Sequence, residues 1–331
     1  VEFGVTILPD PPSGRFVELV QLAEQAGFTH AWTYDSHILW EDGYAFLTVA
    51  GTKTSTIKLG HCVTNPGIRE PTVTASAYAT MHEITGGRMV MGIGRGDSSR
   101  RVVGLKPVPV AEFERSLEMI KELMNGRAVV WNGRELELTW AQGRPEIPMY
   151  VAGYGPRALA VAGRVGDGLI IQLADPEITE WIIGRAEQAA ADVGRAGARL
   201  APVVCAPAVI GDRAQWRDDV RWFPAMVSNH VKDIIAAHGA GGGVPAVLTD
   251  YAADVASYNY AEHSRTGAEH GKYISDAICD RFCVLGSIEE HIEQLSELAE
   301  LGVEQFNIYL MAGEQEATLA AYGEHIIPAL T

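Results

Sequence analysis

Strand-like and helix-like runs alternate along almost the whole chain, and this rhythm restricts the fold more than any other feature of the sequence. The runs "EFGVTIL", "HAWTYD", "IKLGHCVT", "RMVMGIG", "IPMYVAG", "GDGLIIQ", "LAPVVCAPAVI" and "EQFNIYLM" read as strands. Between them lie stretches with apolar spacing near that of a helix, such as "GRFVELVQLAEQAGF" and "SIEEHIEQLSELAELG". "PTVTASAYATMHEIT" opens on Pro71 and "VAEFERSLEMIKELMNG" closes on Gly126, the residues that suit a helix start and a helix end. Repeated β–α units imply a parallel sheet. Eight of them within 331 residues suit an α/β fold of the (β/α)8 TIM-barrel type, read as a single domain over 1–331.

Two stretches break the rhythm. Residues 127–147 carry "RAVVWNGRELELTW", which reads as a small hairpin insertion turning at Asn132-Gly133. Residues 212–280 are longer, with "HGAGGGVP" followed by "YNYAEH". An insertion of that length in a barrel is expected to be a lid or a substrate-selecting segment.

Charge and cysteine content exclude several function classes. With 26 basic and 42 acidic residues the formal charge is −16, which repels nucleic-acid phosphates and anionic lipid, so neither is an expected partner. No apolar run reaches bilayer length, and the N-terminus lacks a basic start and cleavage site, so a cytoplasmic location is expected. Cys62, Cys205, Cys279 and Cys283 are too few and too scattered for a disulfide framework, and no metal site is expected from their spacing.

In a barrel, functional residues lie at the C-terminal ends of the strands. Reading off those ends gives Tyr34, Asp35, Ser36, His37 and Trp40 after the second strand and His61, Cys62, Thr64 and Asn65 after the third. The fourth gives Gly94, Arg95, Gly96, Asp97 and Ser98; the fifth gives Gly153, Tyr154, Gly155, Pro156 and Arg157. Asp35 or Ser36 could serve as a helix cap, and a lone histidine is more often structural than catalytic. Against that, His37 sits at a strand end beside Tyr34 and Trp40, flat apolar surfaces suited to a ring system. The "AGYGPRAL" loop is either a tight turn requiring glycine or a cradle for a phosphate at a helix start, with Arg157 beside it. "GIGRGD" is only a weak dinucleotide fingerprint, because its third glycine is misplaced.

These stretches together resemble the bacterial-luciferase-like superfamily, and within it the coenzyme F420-dependent hydride transferases of methylenetetrahydromethanopterin-reductase type. The resemblance is carried by "CVTNPGIREPTVTASAYATMHEITGGRMVMGIGRGD" and "PMYVAGYGPRALAVAGRVGDGLI", and it thins across 212–280. Monooxygenase members of that superfamily often carry a Glu-His-His motif after the second strand, whereas F420 members tend to show Asp-His. "YDSHILW" is similar to the latter, with Ser36 inserted. The resemblance implies that Asp35 and His37 flank a deazaflavin ring, that Thr64 bonds to it, and that Trp40 lies near it. It also implies a non-prolyl cis peptide about His61-Cys62, an acidic role for Asp97 near substrate, and a phosphodiester held by Gly153, Gly155 and the following helix start. Arg95 and Arg281 are candidates for the acidic cofactor tail and the substrate.

The resulting expectation is an oxidoreductase using F420 to move a hydride to or from an electrophilic C=C, C=O or C=N carbon of a small molecule. An FMN-dependent monooxygenase is the alternative on the same fold, and a catalytically silent flavin-binding barrel is the third. A homodimer is expected through helices flanking the second and third strands, as in members of the superfamily.

Overall fold

The computed structural model describes the chain except residues 11, 196–199, 229–230, 232–266 and 268. Eight parallel strands form the barrel wall: β1 (Glu2–Thr6), β2 (His30–Thr33), β3 (Lys58–His61), β4 (Met91–Ile93), β7 (Met149–Ala152), β8 (Gly168–Ile171), β9 (Ala201–Ile210) and β11 (Gln305–Tyr309). Their order around the sheet is β3-β2-β1-β11-β9-β8-β7-β4. Parallel bridges Leu59–Met89 and Thr64–Ile93 join the two ends, so the sheet curls into a TIM barrel. The numbering gap holds an antiparallel hairpin, β5 (Val129–Trp131) and β6 (Arg134–Leu136). It turns on Asn132 and Gly133, both at positive φ (50° and 75°), as the tightest hairpin turn requires.

Most barrel strands are buried on both faces, since side chains fill the inside and helices cover the outside. Trp32 plugs the lower interior: its indole N–H donates to Gln305 at 3.0 Å, His30 stacks on it, and Tyr150 meets it edge-on from across the barrel. The ring fits because the flanking strands carry glycine there. A Cβ on Gly4 would lie 2.9 Å from the indole nitrogen, and one on Gly60 2.8 Å from its carbon edge.

Helices connect successive strands on the outside. Ser13–Gln25, Pro71–Ile84, Val110–Met124, Pro156–Val165, Pro176–Asp192 and Ile288–Glu300 fall where the periodicity places them. Gly43–Gly51 is an additional helix that the pattern does not announce. Its sequence "GYAFLTVAG" is almost wholly apolar, so no stripe repeats at helical spacing; Asp42 caps it by accepting from the amides of Tyr44 and Ala45. A further strand, β10 (Val284–Gly286), pairs with the last residues of β9, outside the barrel ring. Within 212–280, helices Arg213–Val220 and Asp276–Phe282 are described, and residues 222–228 are also helical. The stretches "HGAGGGVP" and "YNYAEH" lie outside the described residues.

Candidate active site

The C-terminal mouth of the barrel has a polar side, built by the loops after β2 and β3. β2 ends at Thr33, and Asp35 and Ser36 follow as buried residues in irregular backbone. Asp35 accepts a hydrogen bond from Thr64 Oγ1 at 2.6 Å, and the Tyr44 hydroxyl lies 2.9 Å from the same Thr64 oxygen. Because Thr64 donates to the carboxylate, Tyr44 donates to Thr64, and the three make one directed chain. Burial pushes the Asp35 carboxyl above its ordinary range, while the Thr64 hydroxyl and the nearby Arg69 pull it back in part. Arg69 stands 4.3 Å from the centre of the Tyr44 ring and is ion-paired with Asp42.

Behind this chain, His61 Nδ1 lies 2.7 Å from the Tyr78 hydroxyl, and its ring centre is 4.2 Å from that of Tyr44. Burial lowers the His61 pKa to about 3, so the imidazole is neutral at working pH. The peptide between Cys62 and Val63 is cis, at the bulge where the resemblance placed one. Below it, Cys62 Sγ is 3.8 Å from Cys205 Sγ across the barrel, and Asn307 bridges Thr6 Oγ1 and Cys205 Sγ.

The opposite side is aromatic. Tyr154 after β7 donates to Gln172 Oε1 at 2.7 Å, and Gln172 Nε2 donates to the Tyr309 hydroxyl at 2.8 Å. Tyr34 meets Tyr309 edge-on at 5.8 Å, while Trp222 from the inserted segment stacks on Tyr309 at 6.4 Å. Phe223 closes the cluster edge-on at 5.5 Å. The Trp222 indole N–H is buried and unpartnered among the described residues.

The fifth-strand loop leads into the helix Pro156–Val165 through Gly155, whose φ is −79°. The tight-turn reading of this glycine, with positive φ, therefore does not hold. What the position offers is room: a Cβ on Gly155 would find no heavy atom within 4 Å, whereas one on Gly153 would lie 2.8 Å from Ala158 Cβ. An open space against the first amides of a ten-residue helix fits a phosphate.

The remaining expected residues divide. Ser36 Oγ is 3.0 Å from Ser98 Oγ, which ties the loop after β2 to the loop after β4. Asn65 donates to Ser99, and Gly94 N–H donates to Thr64 O, joining the third and fourth loops. Gly96 takes positive φ (76°) beside Asn65. Trp40 is half-buried with its indole N–H unpartnered among the described residues, and Arg157 is exposed at the helix start beyond Pro156.

Four expectations need correction. Asp35 and His37 do not share one face of an extended strand, because β2 has already ended and His37 sits exposed in a turn. Its charge still reaches the Asp35 carboxyl. Asp97, expected as a free acid near substrate, is instead ion-paired with Arg101. Arg95 donates to the Val108 carbonyl at 2.7 Å, which holds it to its own loop. Arg281 is engaged by the buried Asp175 and by Glu177 at 3.3 Å, so its charge fastens the helix Asp276–Phe282 to the loop after β8.

Tyr44, Arg69, Gln172, Tyr309 and Trp222 were not singled out from sequence. Gln172 and Tyr309 end or follow the strands "GLIIQ" and "NIYLM", so the strand-end rule that found the others would have found them.

A barrel with a buried carboxylate chain on one side of its mouth, aromatic surface on the other and an open helix start between strands is the arrangement of a ring-cofactor enzyme. The chain belongs to the luciferase-like monooxygenase family, which matches residues 1–305. It is 30% identical to the 5,10-methylenetetrahydromethanopterin reductase of Archaeoglobus fulgidus over the full length of both chains. It is 28% identical to the F420-dependent glucose-6-phosphate dehydrogenase of Microbacterium testaceum, covering 93% of this chain and 91% of that one. In architecture it matches the coenzyme F420-dependent tetrahydromethanopterin reductase of Methanopyrus kandleri, with a TM-score of 0.78, 22% identity and coverage of 100% and 99%. Among the described residues no helix is long and apolar enough to cross a membrane, and no cluster of three or more metal-ligating side chains occurs.

Proposed function

We propose that this protein is a coenzyme F420-dependent oxidoreductase acting on an electrophilic carbon of a small molecule. The observation that carries the choice of cofactor is the loop after β2. Its acid is Asp35, buried and bonded to Thr64, in the sequence context that resembles F420 enzymes. Relatives covering the full chain bear reductase and F420-dependent dehydrogenase names, which supports the same choice over FMN and over a silent barrel.

When bound, F420 supplies a two-electron hydride carrier; the chain's residues bind, orient and manage protons around it. The open space at Gly155 and the first-turn amides of Pro156–Val165 would take the phosphodiester, with Gly153 keeping the loop close and Arg157 at its rim. Tyr34, Trp40 and Tyr309 would border the ring and the substrate. Asp35, held by Thr64, places a buried carboxyl at the polar side. His37, exposed at the mouth, is the proposed proton donor, since histidine is the side chain most often used for proton transfer in general acid–base catalysis. Asp97, paired with Arg101, is the competing donor. The segment 212–280 is read as the substrate-selecting insertion, contributing Trp222 and Phe223 to the aromatic side.

The names of the relatives make 5,10-methylenetetrahydromethanopterin the first substrate to try. A homodimer is proposed through the helix Pro71–Ile84, which exposes Val73 and Ile84. The cofactor reading is tested by fluorescence titration of the purified protein with F420 and with FMN. Tighter F420 binding is expected; tighter FMN binding with oxygen consumed in turnover would replace the reading with the monooxygenase.

A further inference from the structure

The third-strand loop continues into "NPGIREP", and its arginine returns to the mouth from a position no strand-end rule selects. The Arg69 guanidinium covers the face of the Tyr44 ring at 4.3 Å. Tyr44 reaches Thr64 at 2.9 Å, and Thr64 reaches Asp35 at 2.6 Å. The far side of Arg69 is held by Asp42, the residue that caps the helix carrying Tyr44. The loop after β3 therefore supplies the cation, and the loop after β2 the counter-ion that orients it.

We infer that Arg69 is a positioning residue whose charge, delivered over the Tyr44 ring, sets how tightly Asp35 holds a proton. The groups facing Asp35 are the Thr64 and Tyr44 hydroxyls, Arg69, Asp42 and His37. Arg69 and His37 favour the carboxylate; Asp42 opposes it; burial opposes it most. With Asp35 ionised, the hydroxyl chain runs from Tyr44 through Thr64 to the carboxylate. With Asp35 protonated it can reverse, the carboxyl donating to Thr64 and Thr64 to Tyr44. Arg69 thereby biases the direction of a buried proton path without touching a reacting atom. The catalytic consequence of this inference rests on the reading of Asp35 as part of the cofactor site; the proton-affinity claim does not.

The test is a pH titration of the Asp35 carboxyl by carbon-13 NMR of aspartate-labelled protein without cofactor, with Asp35→Asn assigning the resonance. Arg69→Met is expected to raise the midpoint by about one pH unit or more, the lower end of what loss of a neighbouring opposite charge does. Arg69→Lys should recover most of that shift. Asp42→Asn keeps a capping side chain and removes the like charge, so the midpoint should fall. If Arg69→Met fails to fold, Arg69→Gln carries the test, with the same upward shift expected. In turnover, the limb of the pH–rate profile belonging to Asp35 should move to higher pH in Arg69→Met by the same amount. An unmoved midpoint in the charge-removing Arg69 variant overturns the inference, as does a rate lowered equally at every pH. A shifted midpoint in a protein that ignores F420 would sink the cofactor reading and leave the inference standing.

Discussion

On the β2–β3 side of the mouth, Asp35, Tyr44, Thr64 and Arg69 are joined by directed hydrogen bonds and charge. On the β7–β11 side, Tyr154, Gln172, Tyr309 and Trp222 share two hydrogen bonds and otherwise present flat apolar surface. Both sides are buried, yet burial acts differently on each. It raises the energy of an ionised carboxylate, so the polar side has to be wired to hold its charge. An aromatic face loses nothing in a dry environment and needs partners only for its hydroxyl. On the proposed function the difference divides labour: chemistry that depends on charge would belong to the first side, and recognition of planar groups to the second.

The sharpest way to break this comparison is to remove the proposed proton donor. His37→Asn should lower kcat by ~10²–10⁴ while F420 affinity changes less than about tenfold. Steady-state kinetics beside a binding titration gives both numbers. If Asp97→Asn loses that much instead and His37→Asn stays near normal, the donor lies in the fourth loop and the imidazole only borders the mouth.

A smaller effect is expected at the cradle. Gly155→Val should weaken F420 binding by about tenfold or more with the circular-dichroism melt unchanged, because its backbone angle is open to any residue and the added atoms enter empty space. Gly153→Val is not a clean partner experiment, since its Cβ would strike Ala158. Full affinity in Gly155→Val would place the phosphate elsewhere.

On the aromatic side, Tyr309→Phe removes the acceptor for Gln172 Nε2 and should cost about 1–3 kcal/mol of stability. Its mark on turnover should be a raised KM more than a lowered kcat. A kcat loss as large as that of His37→Asn would erase the division between the two sides.

A different readout is the pH dependence of stability, where the signs differ by group. His30 and His61 are held neutral by burial at about 3, and His291 at about 4. Each of their contributions is intact above the ordinary histidine value near 6.5 and shrinks below it, by up to about 1.4 kcal/mol per pH unit, until the folded value is reached. Asp35 runs the other way: its raised folded pKa favours folding at low pH, and the benefit is lost as pH climbs through that value. Asp35→Asn should therefore raise the denaturation midpoint at neutral pH and lose that advantage in acid. Chemical denaturation across pH 4–8 checks both; a variant less stable than the parent at neutral pH would show that Thr64 needs the full carboxylate.

The barrel was legible because its eight strands are apolar and separated by recognisable helices. The strand ends were legible for the same reason, which is why Asp35, Thr64 and Gly155 could be named before their partners were known. Two kinds of information escaped. Conformation at the end of β2 did: strand periodicity was extended two residues too far, and His37 came out in a turn instead of beside Asp35. Pairing in space also escaped. Nothing local in "NPGIREP" says that Arg69 lies over a tyrosine 25 positions earlier, and nothing in "DRFCV" says that Arg281 is spoken for by Asp175.

β9 is ten residues long, and only its first part belongs to the ring; the last three residues pair with β10. The segment between those two strands is thus sutured at both ends to one rigid beam. Arg217 with Asp280 and Arg281 with Asp175 add rivets at its base. Such an attachment behaves like a socket. Changes of chain length or composition between the anchored ends need not disturb the register of the barrel beneath, because that register is held by pairs the anchors leave in place.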